Sequence, residues 1–141
     1  MTKINFGRVV LGGLAAGLLL VIGDTLLHTA VMGEQWKAAM DIYGMPEPGS
    51  GAIIFFSVLD LIMGIVTVWI YAAIRPRFGA GVRTAVVAGI LVWFLGWFWH
   101  MSGLIAMKMY PTDLIVKTLI WGIIQMPVAS ILGAWLYKEG Q

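Results

Sequence analysis

The sequence has no cysteine. Disulfides, iron–sulfur clusters and covalently attached c-type haem are thereby excluded. Charge is also scarce: 11% of the 141 residues are Asp, Glu, Lys or Arg, against about a quarter in soluble domains. No nucleophile motif, phosphate-cradling glycine loop or His-Glu-x-x-His spacing occurs. The sequence therefore offers no catalytic residue, and catalysis ranks last among its readings. The nine Lys and Arg residues give a net charge of +2 but flank apolar segments instead of forming one basic surface. That distribution argues against a nucleic-acid partner.

What fills the chain is apolar, with 60% hydrophobic residues. Four stretches, at approximately 9–31, 52–74, 83–107 and 114–137, each have about the 20 residues that cross a ~30 Å hydrocarbon layer as a helix. An open sheet would leave unpaired backbone groups in lipid, and four strands cannot close a barrel. The expected fold is all-α: one domain, 1–141, forming an up-down bundle of four transmembrane helices in the lipid bilayer. It divides into two tandem hairpins, at about 8–75 and 82–138.

The charges orient this bundle. One side collects Lys3, Arg8, Arg75, Arg77, Arg83 and Lys138 with Glu139; the other holds Lys37, Lys108 and Lys117 with Glu34, Asp41, Glu47 and Asp113. The cation-rich side is expected to be cytoplasmic, which puts both termini there. The first apolar stretch exceeds the 7–15 residues of a signal peptide, carries Asp24 near its far end and lacks a small-residue cleavage site. It is expected to stay attached.

The longest connection is 32–51. Its 34–43 portion reads either as a plain linker or as a short interfacial helix with Trp36, Ala39, Met40 and Tyr43 towards the membrane. The run Met45-Pro-Glu-Pro-Gly-Ser50 ends it. The 75–81 turn makes the second and third spans antiparallel neighbours, and Thr112 or Asp113 is placed to cap the fourth. An internal repeat runs at an offset of about 72 between spans one and three, pairing Gly13 with Ala85, Gly17 with Gly89, Asp24 with Gly96 and His28 with His100. Spans two and four align at an offset near 65, pairing Asp60 with Gln125.

At about 100° per residue each span shows one small or polar face: Gly13, Gly17, Asp24 and His28; Ser57, Asp60, Gly64, Thr67 and Tyr71; Ala85, Gly89, Gly96, His100 and Gly103; Thr118, Gly122, Gln125, Ala129 and Gly133. Membrane helices pack through such faces because lipid supplies no hydrophobic drive between them. Gly13, Gly17, Gly64, Gly89, Gly96 and Gly122 are the expected packing residues. Asp24, His28, Asp60, His100 and Gln125 fall at similar depth in the outer half and form the candidate site.

Intramembrane carboxylates face a partner or a cavity, because a charge near the bilayer centre disfavours insertion by about 2.5–3.5 kcal/mol. Three readings of the cluster stand open. Its members are interhelical hydrogen-bonding glue within an accessory or structural subunit, or an oligomer. Alternatively, His28, His100, Asp24 and Asp60 hold a divalent metal, or the two histidines ligate one haem b. Third, Asp and His serve a small proton-linked transporter. The tryptophans and tyrosines gather at both expected boundaries, as an aromatic belt does.

With four spans in about 140 residues, Trp36-Lys-Ala-Ala-Met40 after the first and Gly133-Ala-Trp135 closing the last, the chain resembles small bacterial inner-membrane proteins known as domains of unknown function. The resemblance implies a bacterial inner-membrane location and carries no activity.

Overall fold

A computed structural model describes residues 3–138. Glu139 and the two chain ends lie outside the described residues. α1 spans Phe6–Leu26 and continues through a π turn, Leu27–Val31. α2 is the short helix Gly33–Asp41, and α3 runs over Ser50–Phe78. α4, Val82–Trp93, passes through a second π turn, Phe94–Phe98, into α5, Trp99–Ala106. α6 covers Thr112–Leu136. Four helical units, Phe6–Val31, Ser50–Phe78, Val82–Ala106 and Thr112–Leu136, are long and apolar enough to cross a membrane. The shortest, with 25 residues, reaches about 38 Å at 1.5 Å per residue. The chain is an all-α integral membrane protein whose four spans pack as a bundle.

Backbone contact dominates the packing. The closest pair is α1 with α3. There, a Cβ built on Gly17 would stand 2.6 Å from the Leu61 Cα, and one on Gly13 would strike the Ile65 backbone. Opposite them Gly64 lies directly on Gly13 and Gly17. α4 meets α6 in the same manner, with Gly89 against Met126 and Pro127. By the sequence offsets of 72 and 65, Gly17 on Leu61 corresponds to Gly89 on Met126. α6 also packs on α1, where Gly12 faces the Gly133 carbonyl. α1 and α4 are thus diagonal, each touching α3 and α6.

Small size at these positions lets dispersion act over short helix separations. Buried hydroxyls are satisfied along their own helices: Thr67 donates to the Met63 carbonyl at 2.7 Å and Thr118 to Leu114 at 3.0 Å. Away from the seams, Leu18, Ile54, Phe56 and Ile124 are exposed, as a lipid-facing surface requires.

The two ends differ. At the end holding Lys3 and Lys138, the Tyr137 hydroxyl accepts from the Asn5 amide at 3.4 Å and the Tyr71 hydroxyl accepts from Gly81 at 3.2 Å. The two tyrosine rings stand edge to face at 6.0 Å. The connecting turn needs positive φ at Gly79 (84°) and Gly81 (127°), a region open mainly to glycine.

At the other end α2 lies as a lid. Ala39 is buried with Leu27, Met32 and Leu114, and Trp36, Tyr110 and Trp121 pack around them. The Tyr43 hydroxyl donates to the Met109 carbonyl. The helical reading of 34–43 is the one observed, over Gly33–Asp41, and Trp36 and Ala39 pack against Leu27 and Leu114 at the ends of the first and fourth spans, while Tyr43 stays exposed. α6 begins at Thr112 without a side-chain cap; Asp113 instead accepts from Lys117 at 3.2 Å.

The small-residue face of the third span is interrupted. Ala85, Ala88, Gly89 and Val92 are buried, whereas Gly96, His100 and Gly103 are exposed. A π turn holds one more residue than an α turn, so residues beyond Phe94–Phe98 rotate by about 100°. Gly96 consequently leaves the seam it was expected to line: a Cβ there would meet only Met63 Cε, at 3.7 Å.

Candidate functional site

The last α-helical turn of α1 brings Asp24 beside the middle of α6. Gln125, 8% exposed, donates from Nε2 to Asp24 Oδ1 at 2.8 Å. One turn earlier on α6, the Trp121 indole donates to Gln125 Oε1. An indole N–H only donates and a carboxylate only accepts. The chain Trp121 to Gln125 to Asp24 therefore has a fixed direction, which sets the amide orientation and makes Asp24 its terminal acceptor.

Gly23 supplies the seat for this amide. A Cβ at 23 would collide with Gln125 Oε1 and stand 2.7 Å from its Cδ. One turn before Gln125 on α6, Gly122 admits the Trp93 ring, 2.9 Å from where its Cβ would be. The Trp93 indole in turn donates to the Leu119 carbonyl at 3.1 Å.

His28 is the second residue of the π turn that follows. Its Nδ1 lies 2.8 Å from the Asp24 main-chain oxygen. A carbonyl can only accept, so Nδ1 carries the hydrogen, and Nε2 of the neutral ring is an acceptor. The imidazole also lies 5.6 Å from Trp36 on the lid, whose own ring meets Tyr110 at 5.6 Å.

Asp24, His28, Thr118, Gly122, Gln125, Trp97 and Trp121 line a small cleft whose wall Leu27 and Met126 complete. It has room for about one water molecule. Beside Thr118 in sequence, Lys117 donates to Gln35 of α2 at 3.4 Å and to Asp113. Lys37 and Glu47 pair across the exposed lid loop at 2.6 Å. There the Lys37 ammonium holds the Glu47 carboxyl below its ordinary range, and Glu47 raises Lys37.

The five residues marked by the sequence are thus unevenly gathered. Asp24 and Gln125 are bonded, and His28 stands over the Asp24 carbonyl. Asp60 is half-buried within electrostatic reach of Asp24, but does not line the cleft. His100 is exposed on α5, beyond the π turn that rotates it away. Among the described residues no three His, Asp or Glu side chains gather as a metal site. The four-ligand shell of His28, His100, Asp24 and Asp60 does not form within one chain, and the cleft beside His28 is too small for a haem macrocycle.

Sequence reasoning passed over Gly23 and assigned Trp97 and Trp121 to the aromatic belt. The i, i+4 spacing of Trp121 and Gln125 on one helix was the available signal. Comparison with protein-family models, curated proteins and solved structures gave no match to this chain.

Proposed function

We propose that the chain is a structural or accessory component of a membrane assembly, packing within the bilayer against another copy of itself or a partner subunit. The observation that carries this reading is the α5 face. The π turn directs Gly96, His100 and Gly103 outwards, and a Cβ at 103 would meet nothing within 4 Å. Open glycines allow a second helix to approach closely, and an imidazole facing hydrocarbon gains from a partner that hydrogen-bonds it. Six cations, Lys3, Arg8, Arg75, Arg77, Arg83 and Lys138, support an orientation with this end in the cytoplasm. The bacterial inner membrane is the location that goes with it.

Because the chain lacks cysteine, one introduced thiol is unique. A photoreactive maleimide on Gly103→Cys in native membranes should capture a protein partner, while the same probe on exposed Ile54→Cys should label lipid. Lipid labelling alone from both positions would overturn the reading.

A metal or haem function draws on a single observation, the Nε2 acceptor that the Asp24 carbonyl bond leaves on His28. With no three-ligand group in the described residues, a second chain would have to complete the shell. Metal analysis and an absorption spectrum of the purified protein test it, and a colourless, metal-free preparation removes it. Proton-linked transport rests on Asp24 and Asp60 lying within electrostatic reach; uptake that survives Asp24→Asn and Asp60→Asn would dismiss their role.

A further inference from the structure

We propose that the α3–α4 turn is a docking point for one anionic phospholipid, whose phosphodiester group is held by Arg77 and Arg83.

Arginine is unevenly spread. All four arginines, Arg8, Arg75, Arg77 and Arg83, belong to the same end of the bundle, whereas the cations of the opposite end are the lysines Lys37, Lys108 and Lys117. A charge bias that orients the chain needs cations of either kind. A planar guanidinium adds a fork of donors that binds two phosphate oxygens at once, which an ammonium does not. Arg75 is already occupied at the Tyr137 ring, 5.7 Å from its centre. Arg77 and Arg83 are exposed and make no ion pair among the described residues. The nearest acid along α3 is Asp60, about 25 Å from Arg77 along the helix axis at 1.5 Å per residue.

The turn between the two arginines is ordered by its own hydrogen bonds. The Gly79 N–H donates to the Arg75 carbonyl at 2.9 Å and the Gly81 N–H to the Tyr71 hydroxyl at 3.2 Å. The Thr84 hydroxyl donates to the Gly79 carbonyl at 2.7 Å. A Cβ on Gly79 or Gly81 would meet nothing within 4 Å, so the turn leaves room for a headgroup. Beside each arginine stands an exposed apolar neighbour, Phe78 and Val82, each at 62% exposure. At the end of a membrane span, apolar side chains reach acyl chains while long cationic ones extend their charged heads to the phosphates. The order cation, apolar, turn, apolar, cation therefore matches an amphiphile with a negative headgroup. A soluble anion would use the arginines and leave Phe78 and Val82 in water, so a lipid is the better-matched occupant.

The turn lies at the far end of the third span from α5, so its lipid affinity is measured independently of assembly. Purified protein in detergent micelles is titrated with short-chain phosphatidylglycerol, short-chain phosphatidylcholine and inorganic phosphate at constant ionic strength. The thermal midpoint is read by circular dichroism and retained lipid by native mass spectrometry. Phosphatidylglycerol should raise the midpoint saturably, while phosphatidylcholine and phosphate at the same concentration leave it unchanged. Arg77→Gln combined with Arg83→Gln should weaken phosphatidylglycerol at least tenfold. Arg77→Lys with Arg83→Lys keeps both charges and removes the fork, and should weaken it several-fold. Lys3→Gln, at an exposed cation of the same end outside the turn, should change it less than twofold. Equal responses to the two lipids would overturn the proposal, as would a response to phosphate matching that to phosphatidylglycerol. A Lys3→Gln loss as large as that of the arginine pair would assign the effect to diffuse charge and equally overturn it. The wild-type series needs no variant, so it decides the matter even if a variant misfolds.

Discussion

Replacing Gly64 by alanine tests the packing argument most directly. The new Cβ would press on the Gly17 amide nitrogen and the Gly13 carbonyl oxygen, and stand 2.6 Å from the Gly17 Cα. All three are backbone atoms, so no side chain can rotate aside. Ordinary contact begins near 3.4 Å, so α1 and α3 must part by about 0.8 Å or more. A gap of that size removes about a quarter to a half of each dispersion contact along the seam. Overpacking of a close interior costs about 1–3 kcal/mol, and rigid opposing backbones place Gly64→Ala at the upper end. The helix-propensity gain of alanine over glycine, about 1 kcal/mol, offsets part of this. The expected net loss is about 2 kcal/mol. It can be read from SDS titration in mixed micelles followed by circular dichroism. Gly51→Ala, whose Cβ would meet nothing within 4 Å, is the comparison. A Gly64→Ala protein as stable as Gly51→Ala would refute the claim that backbone contact holds the first hairpin.

Three further outcomes follow from other parts of the molecule. Gly79→Ala should lose about 1–3 kcal/mol although its Cβ has open space, because φ 84° and ψ 161° are accessible almost only to glycine; an unchanged SDS midpoint would count against it. Gly23→Ala should displace Gln125, and combining it with Trp121→Phe should cost less than the sum, since both break one hydrogen-bonded chain; strict additivity would argue that the chain is not a unit. The Lys37–Glu47 pair is stabilising above the ordinary Glu range and is lost as pH falls through the lowered Glu47 pKa. At the alkaline side it is lost as pH rises through the raised Lys37 pKa. Protease resistance of the 42–49 loop should therefore be flat near neutrality, fall in acid, and weaken with salt; a maximum in acid would contradict this.

Hydropathy made the four spans legible, because length and apolarity alone decide whether a helix can cross lipid. The glycine seams were legible where the helix is regular: Gly13, Gly17, Gly64 and Gly89 are all buried at crossings. Past Phe94 the same arithmetic misplaces Gly96 and His100, because it carries 100° per residue through a turn that contains one residue more. Nothing in Phe-Leu-Gly-Trp-Phe announces that turn locally. The seating of α2 was half legible. Its apolar positions could be read, but whether they meet lipid or protein depends on Leu114, which comes from a distant part of the chain. Gly23 stayed hidden for the same reason, since its role exists only once Gln125 arrives from 102 positions away.

The α1–α3 seam also bears on the order in which the molecule is made. Gly13, Gly17, Leu61, Gly64 and Ile65, which form it, all precede residue 78. A ribosome that has delivered the second span to the membrane has delivered every atom of this crossing. The first hairpin can close before α4 exists, and the second pair then docks, through Gly133 on Gly12, onto a surface already in place.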